Sequence, residues 1–273
     1  LCLSLCLFLP LSLSVSPLSF SISSLFPSFL SLHSPLVQSL ATYDPTNNIG
    51  GDHDLVIHLR TGDIWEERVK TASTTNGGFI YYTQPPAWFY AHIAGKHSEY
   101  HTINLLTHVP NSQYVLSVVA ALKSIPSVHT VRVLTSDLQS DFGLLLRSQN
   151  IVPSISTFAW WSVFLGNGWH QAQHQQHGSE ERRSRRVVHI GRTGFWHPQS
   201  VHRSQFCMEF EEEEDLVVAA DAKASSGGDG GGSSVLLHEY TLEVSDTWQN
   251  TNEQRAHAFS SVIPTWFADK YSN

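Results

Sequence analysis

"LVIHLRTGDIW", residues 55–65, sets the architecture. Leu55, Val56 and Ile57 run into His58, Leu59 and Arg60 as a short apolar, β-branched stretch. That is the length and character of a strand covered on both faces. Read as a strand over 54–60, it puts His58 and Arg60 on the same side, because side chains alternate along extended chain. Gly62 allows the tight turn that follows. Asp63 either caps that turn or orients Arg60. A guanidinium where a buried strand runs out offers a planar fork suited to two phosphate oxygens. The competing reading has Arg60 pair with Asp63 or another acid and tie down a loop, and on this segment alone the two weigh the same. A histidine inside an apolar strand, as His58 is, is more often a satisfied core residue than a base.

Downstream, strand-like and helix-like segments alternate in units of about thirty residues. "PPAWFYAHIAG" has proline at a helix start and glycine at its end. "YHTINLLTH" reads as a strand. "NSQYVLSVVAALKSI" reads as a helix capped by Asn111 or Ser112, with Tyr114, Val115, Val118, Val119 and Leu122 on one face. "SVHTVRVLTSD" is the next strand, "SDLQSDFGLLLRSQN" the next helix, "IVPSIS" a short extended piece, and "TFAWWSVFLG" an apolar helix stopped by Gly166. This alternation predicts an α/β fold: a Rossmann-like parallel sheet with flanking helices. Ligands in such sheets bind at the carboxyl ends of the strands. Arg60 closes one strand and Ser136-Asp137 follow another.

The second segment of interest is "PSISTFAWWSVFLG", residues 153–166. Ser154, Ser156 and Thr157 precede the helix, whose amino end carries unpaired N–H donors and partial positive charge, an anion site in itself. The plainer reading is N-capping by Ser156 or Thr157, worth about 1 kcal/mol, with Trp160 and Trp161 in the core. Both can hold, because a cap hydroxyl can be shared with a phosphate.

Composition narrows the partners. The 273 residues carry 16 Lys+Arg against 24 Asp+Glu, a formal net charge of −8. No basic surface is implied, so nucleic acid is not an expected partner. Cys2, Cys6 and Cys207 form neither a disulfide framework nor a zinc spacing. Of the 16 histidines, His170, His174 and His177 have helical spacing but lie in a Gln-rich polar stretch, best read as a solvated loop. Asp52-His53-Asp54 is a D-x-D, which some sugar transferases use to hold a metal. It precedes the strand and reads as a polar strand entry, so no metal site is expected.

The expected organisation is fourfold. Residues 1–40 are a Leu/Ser segment broken by proline, for which a mistaken or truncated gene model and a degenerate signal-anchor both stay open. Residues 41–168 form the Rossmann-like core that carries both candidate site segments. Residues 169–234 hold polar and Gly-rich insertions around short strands, among them "VVHI". Residues 235–273 supply a strand and a closing amphipathic helix, "DTWQNTNEQRAHAFSSVIPTWF".

Taken together, H-x-R-x-G-D at a strand end, a later T-S-D strand end, S-x-S-T-F-x-W-W opening a helix, and "YYTQPPAWFY" resemble the fucosyltransferase superfamily, nearest its α-1,2-type enzymes. The resemblance covers residues 54 to about 168, and more faintly "GFWHP" and "WQNTNEQR". It implies the C-terminal, donor-binding half of a GT-B glycosyltransferase that moves fucose from GDP-fucose to a glycan or protein hydroxyl with inversion and without a metal or other cofactor. It implies donor contacts from Arg60, Asp137, Ser156, Thr157 and Phe158. Arg60 would meet the β-phosphate, with Asp63 and His58 shaping its loop as the remaining catalytic candidates. It further implies a Golgi or secretory address, with membrane association only through an upstream segment. Thr61 stands where many family members have a second arginine, and the acceptor-binding N-terminal half is not visible in the sequence. The alternatives are a catalytically inactive nucleotide- or glycan-binding fragment, an enzyme using another sugar nucleotide or phosphate ester, and a pseudogene product.

Overall fold

The computed structural model describes residues 49–65, 79–80, 83–163, 165–166, 186–192, 235–242, 247–248 and 251–271. The expectations for residues 1–40, for the polar stretch with His170, His174 and His177, and for the acidic and Gly-rich run before residue 235 lie outside them.

Six strands form one all-parallel sheet: β1 (Asp54–Leu59), β3 (Thr102–Thr107), β4 (Thr130–Leu134), β5 (Asn150–Val152), β6 (Arg186–Arg192) and β7 (Val235–Thr241). Across the sheet they run β4-β3-β1-β5-β6-β7. Numbered by their succession within this sheet, that order is 3-2-1-4-5-6, the doubly wound Rossmann arrangement. A separate antiparallel pair joins β2 (Phe79–Ile80) to β8 (Thr247–Trp248).

The helices divide between the two faces, and the alternation along β1 shows how. Leu55, Ile57 and Leu59 point into one cluster with Trp88, Phe89 and Ile93 of α1 (Ala87–Lys96) and Val115, Val118 and Leu122 of α2 (Gln113–Lys123). Val56 points into the other, with Leu144 and Leu145 of α3 (Leu138–Arg147) and Val163 of α4, whose helical residues are 157–163 and 165–166. A strand covered on both sides has no solvent face, which is why 55–59 lacks the polar alternation of an exposed sheet. Burying one large apolar side chain such as Phe89 contributes about 1.5–3 kcal/mol, and Trp88, Phe89 and Tyr90 in succession fix α1 on the sheet.

The caps follow the sequence signals. Ser112 Oγ accepts from the Val115 N–H at 3.3 Å at the start of α2. At the start of α3, the Asp137 carboxylate accepts from the N–H groups of Gln139 and Ser140. Two expectations need correction. The glycine of α1 does not stop it: the helix passes Gly95 to Lys96, with His97 as its C-cap. The closing helix is two helices, α5 (Asn252–Phe259) and α6 (Thr265–Tyr271). Thr251 and Gln254 open α5 with a reciprocal capping box. Pro264, which has no N–H to continue a helical ladder, separates the two. Ala258 and Phe267 return both helices to the α1/α2 face.

Candidate functional site at the switch point of the sheet

In this strand order the chain reverses direction between β1 and β5, and the crevice beyond their carboxyl ends is where such sheets hold ligands. Both segments singled out in the sequence end there. β1 and β5 are direct neighbours, with Ile57 opposite Val152. Three residues past Ile57 comes Arg60, and two past Val152 comes Ser154.

The two ends are tied to each other. His58 Nδ1 lies 2.6 Å from Ser154 Oγ, and Ser154 is fully buried. Burial, and then the nearby positive charge of Arg60, pull the His58 pKa down to about 4. The imidazole is therefore neutral at pH 7, and its ring packs 5.6 Å from that of Phe158.

The loop after β1 is held from two sides. Gly62 adopts φ +86°, the left-handed conformation the turn requires. The Trp65 indole N–H donates to the Arg60 carbonyl at 3.4 Å. That indole is itself wedged between Tyr114 and Phe259, with ring centroids 4.7 and 5.4 Å away. Thr61 is buried; its hydroxyl lies 2.8 Å from Thr107 Oγ1 and accepts from the Val109 N–H at 3.0 Å. At the position where the resemblance leads one to look for a second arginine, this chain therefore has a tie between the ends of β1 and β3. Asp63 opens a single 3-10 turn, Asp63–Trp65.

Beyond β5, Ser156 is the cap of α4: its hydroxyl accepts from the Phe158 N–H at 3.2 Å and its carbonyl from the Trp160 N–H at 2.9 Å. Thr157 is exposed at the first helical position, where backbone N–H groups have no intrahelical acceptor. Phe158 packs edge-on against Phe142 of α3 at 5.3 Å. Trp160 and Trp161 are half-buried rather than fully in the core, stacked edge to face at 5.1 Å.

No family model, no curated protein and no solved structure matches the chain. The functional reading therefore rests on this geometry and on the motifs.

The remaining candidate, Asp137, lies at the end of edge strand β4, with β3 between it and β1. Its carboxylate caps α3 and also accepts from Ser140 Oγ at 2.7 Å; these bonds hold its pKa below the usual aspartate range. The structure thus sets His58 against Ser154 and Phe158, with Arg60 close enough for its charge to act on His58; Ser156 and Thr157 stand at the start of α4, Asp63 in the turn after β1, and Asp137 at the margin. The D-x-D of Asp52 and Asp54 falls at the opposite, amino end of β1. There the Asp54 carboxylate accepts from the Gly50 N–H, and the Asn150 amide donates to the carbonyls of Asp52 and Asp54. It works as a strand entry. Sequence reasoning passed over Ser154 as a partner of His58. Only the pairing of β1 with β5 relates the two.

No described helix is long and apolar enough to cross a membrane.

Proposed function

We propose that this chain binds a nucleoside diphosphate sugar at the switch point and acts as a glycosyltransferase, with fucosyl transfer from GDP-fucose to a glycan or protein hydroxyl as the specific reaction. The observation that carries the binding reading is the adjacency of the Arg60 loop and the amino end of α4 on neighbouring strands, coupled through His58 and Ser154. The choice of fucose and guanosine rests on the H-x-R-x-G-D and S-T-F-x-W-W motifs. In such a transfer negative charge grows on the departing diphosphate. A fixed guanidinium and the first N–H groups of a helix would meet it without reorganising, and one such preorganised donor is worth about 3 kcal/mol of barrier. Asp137, at the margin, would serve the base end of the nucleotide. A secretory-pathway address belongs to the same proposal.

A specific observation favours a second reading, a nucleotide- or glycan-binding module without turnover. His58 turns one ring nitrogen to Ser154 and is held at about 4, too weakly basic at pH 7 to take a proton from an acceptor hydroxyl.

The test is titration calorimetry of the full chain with GDP, UDP and ADP, followed by transfer and hydrolysis assays with labelled GDP-fucose. GDP binding that falls at least tenfold in Arg60→Ala, with unchanged circular dichroism, supports the site. Turnover of GDP-fucose separates enzyme from binding module. Equal affinity in Arg60→Ala removes the proposal.

A further inference from the structure

On the α1 face, two strands from the switch point, three histidines converge. His189 on β6 and His238 on β7 stand opposite each other in the parallel register, their rings stacked at 4.9 Å and 11°. His97, the C-cap of α1, closes on both, with ring centroids 4.7 Å from His189 and 5.3 Å from His238. One ring nitrogen from each can be chosen so that all three lie within 4.8 Å of one another. We propose that His97, His189 and His238 form a binding site for a divalent d-block cation, zinc in the first instance.

A further observation points to a ligand. His97 Nδ1 lies 3.2 Å from Glu99 Oε1. A carboxylate there accepts a hydrogen bond from Nδ1–H and leaves the lone pair on Nε2, the arrangement that orients metal-ligating imidazoles. Nε2 of His97 is buried and has no hydrogen-bond partner among the described residues. An oriented, buried lone pair with nothing to accept is costly unless something binds it. His189 is fully buried and both its ring nitrogens are partnered, Nδ1 3.3 Å from the Tyr240 hydroxyl and Nε2 3.1 Å from the Tyr100 hydroxyl, so an ion would have to displace or share one of these contacts. Tyr240 fixes the ring from one side. The ion would take Nε2, with the Tyr100 hydroxyl yielding its place or becoming the fourth ligand through its oxygen. His238 has no hydrogen-bond partner among the described residues.

The donor set selects the ion. Three imidazoles without a thiolate or carboxylate in the trio suit zinc, nickel, cobalt or copper(II) and not magnesium or calcium. Burial lowers the pKa of all three rings, that of His238 to about 4, so each is neutral and ready to coordinate at pH 7. Zn–N bonds of roughly 2.0–2.1 Å put tetrahedral nitrogens about 3.3 Å apart, so the three rings need only close inward. The His97 side chain is 16% exposed and that of Glu99 52%, which gives an ion a way in. Bound, it would lock the end of α1 to the β6–β7 edge of the sheet.

The experiment uses the full chain, zinc or cobalt(II) alone as probe, and no nucleotide. The expected result is one ion per chain, a four-coordinate cobalt(II) spectrum, and a higher Tm with zinc. Affinity should fall at least tenfold in both His97→Gln and His238→Ala, and should be kept when His170, His174 and His177 are replaced together by alanine. Carbethoxylation mapped by mass spectrometry supplies a test free of folding artefacts: zinc should protect His97 and His238 in the unaltered protein. No ion bound, no protection, or affinity kept in either single variant and lost in the triple one overturns the site.

Discussion

His58 and Ser154 meet at 2.6 Å across the boundary between β1 and β5, the point at which the sheet reverses its winding. A neutral imidazole and a hydroxyl can share one proton in either direction, so the bond couples the two strand ends without a charge. It sets the strand that carries Arg60 against the segment that leads into α4.

Ser154→Ala removes that bond in a fully buried place. The cost should be about 1–2 kcal/mol, since the His58 nitrogen is left without its partner, and denaturant melts would read it. Imidazole titration by NMR should still find His58 far below 6.5, because burial is the larger cause. Arg60→Ala, which removes the smaller cause, should raise the value only part of the way. A His58 pKa restored to 6.5 by Arg60→Ala alone would reverse that order.

Acid should weaken the fold through its buried histidines. His58, His92 and His238 are each held at about 4, and His97 and His189 are also lowered, all chiefly by burial. Their folded pKa values lie below the unfolded 6.5, so the unfolded chain takes up more protons between 6.5 and 4. The stability they contribute is complete above about pH 6.5 and is lost as pH falls toward 4. One group carried that far is worth at most about 3 kcal/mol, less where solvent reaches the ring. Melting curves should be flat from pH 8 to 7 and then drop steadily. A Tm unchanged between pH 6.5 and 4.5 would contradict the burial of these rings.

Asn104→Leu should stabilise the protein. Asn104 is fully buried in β3, between Val56 of β1 and Arg132 of β4 in the register. Neither its amide nitrogen nor its amide oxygen has a partner among the described residues. A buried, unsatisfied amide costs roughly 1–3 kcal/mol, and an apolar residue of similar size removes that cost. The expected rise in denaturation midpoint is of that order. A fall would mean that a bound water or group satisfies the amide.

The sequence made the layers legible because each signal was local. A continuous apolar run marked β1, Asn111 and Ser112 marked the start of α2, and regular alternation implied the parallel sheet. The candidate site was chosen on the same kind of local signal: Arg60 and Ser156 stand at element ends, and ends are where such sheets bind. What stayed hidden depends on partners far apart in the chain. Thr61 looks like an ordinary loop residue until β3 brings Thr107 to it. His189 and His238 look like scattered histidines until β6 and β7 pair. The break between α5 and α6 was written in Pro264, and the amphipathic pattern on either side obscured it.

Gly166 and Arg186 make the sharpest packing test. Arg186 opens β6 with no exposed surface, donating from Nη2 to the Leu145 carbonyl at 2.8 Å and from Nη1 to the Val163 carbonyl at 3.3 Å. Burial brings its pKa down to about 9, so it remains protonated at pH 7. Its charge sits against carbonyls in the last turns of α3 and α4, where helix dipoles favour a cation. Gly166 leaves room for this: a Cβ there would overlap the guanidinium and stand 2.5 Å from the Leu146 carbonyl. Moving the arginine to make space would strand its N–H groups in the interior. Gly166→Ala should therefore destabilise by roughly 1–3 kcal/mol, toward the upper end, although alanine is ordinarily the better helix former by about 1 kcal/mol. Lower urea midpoints with an unchanged slope would fit this clash. An alanine variant as stable as the parent would mean that Arg186 does not occupy this pocket.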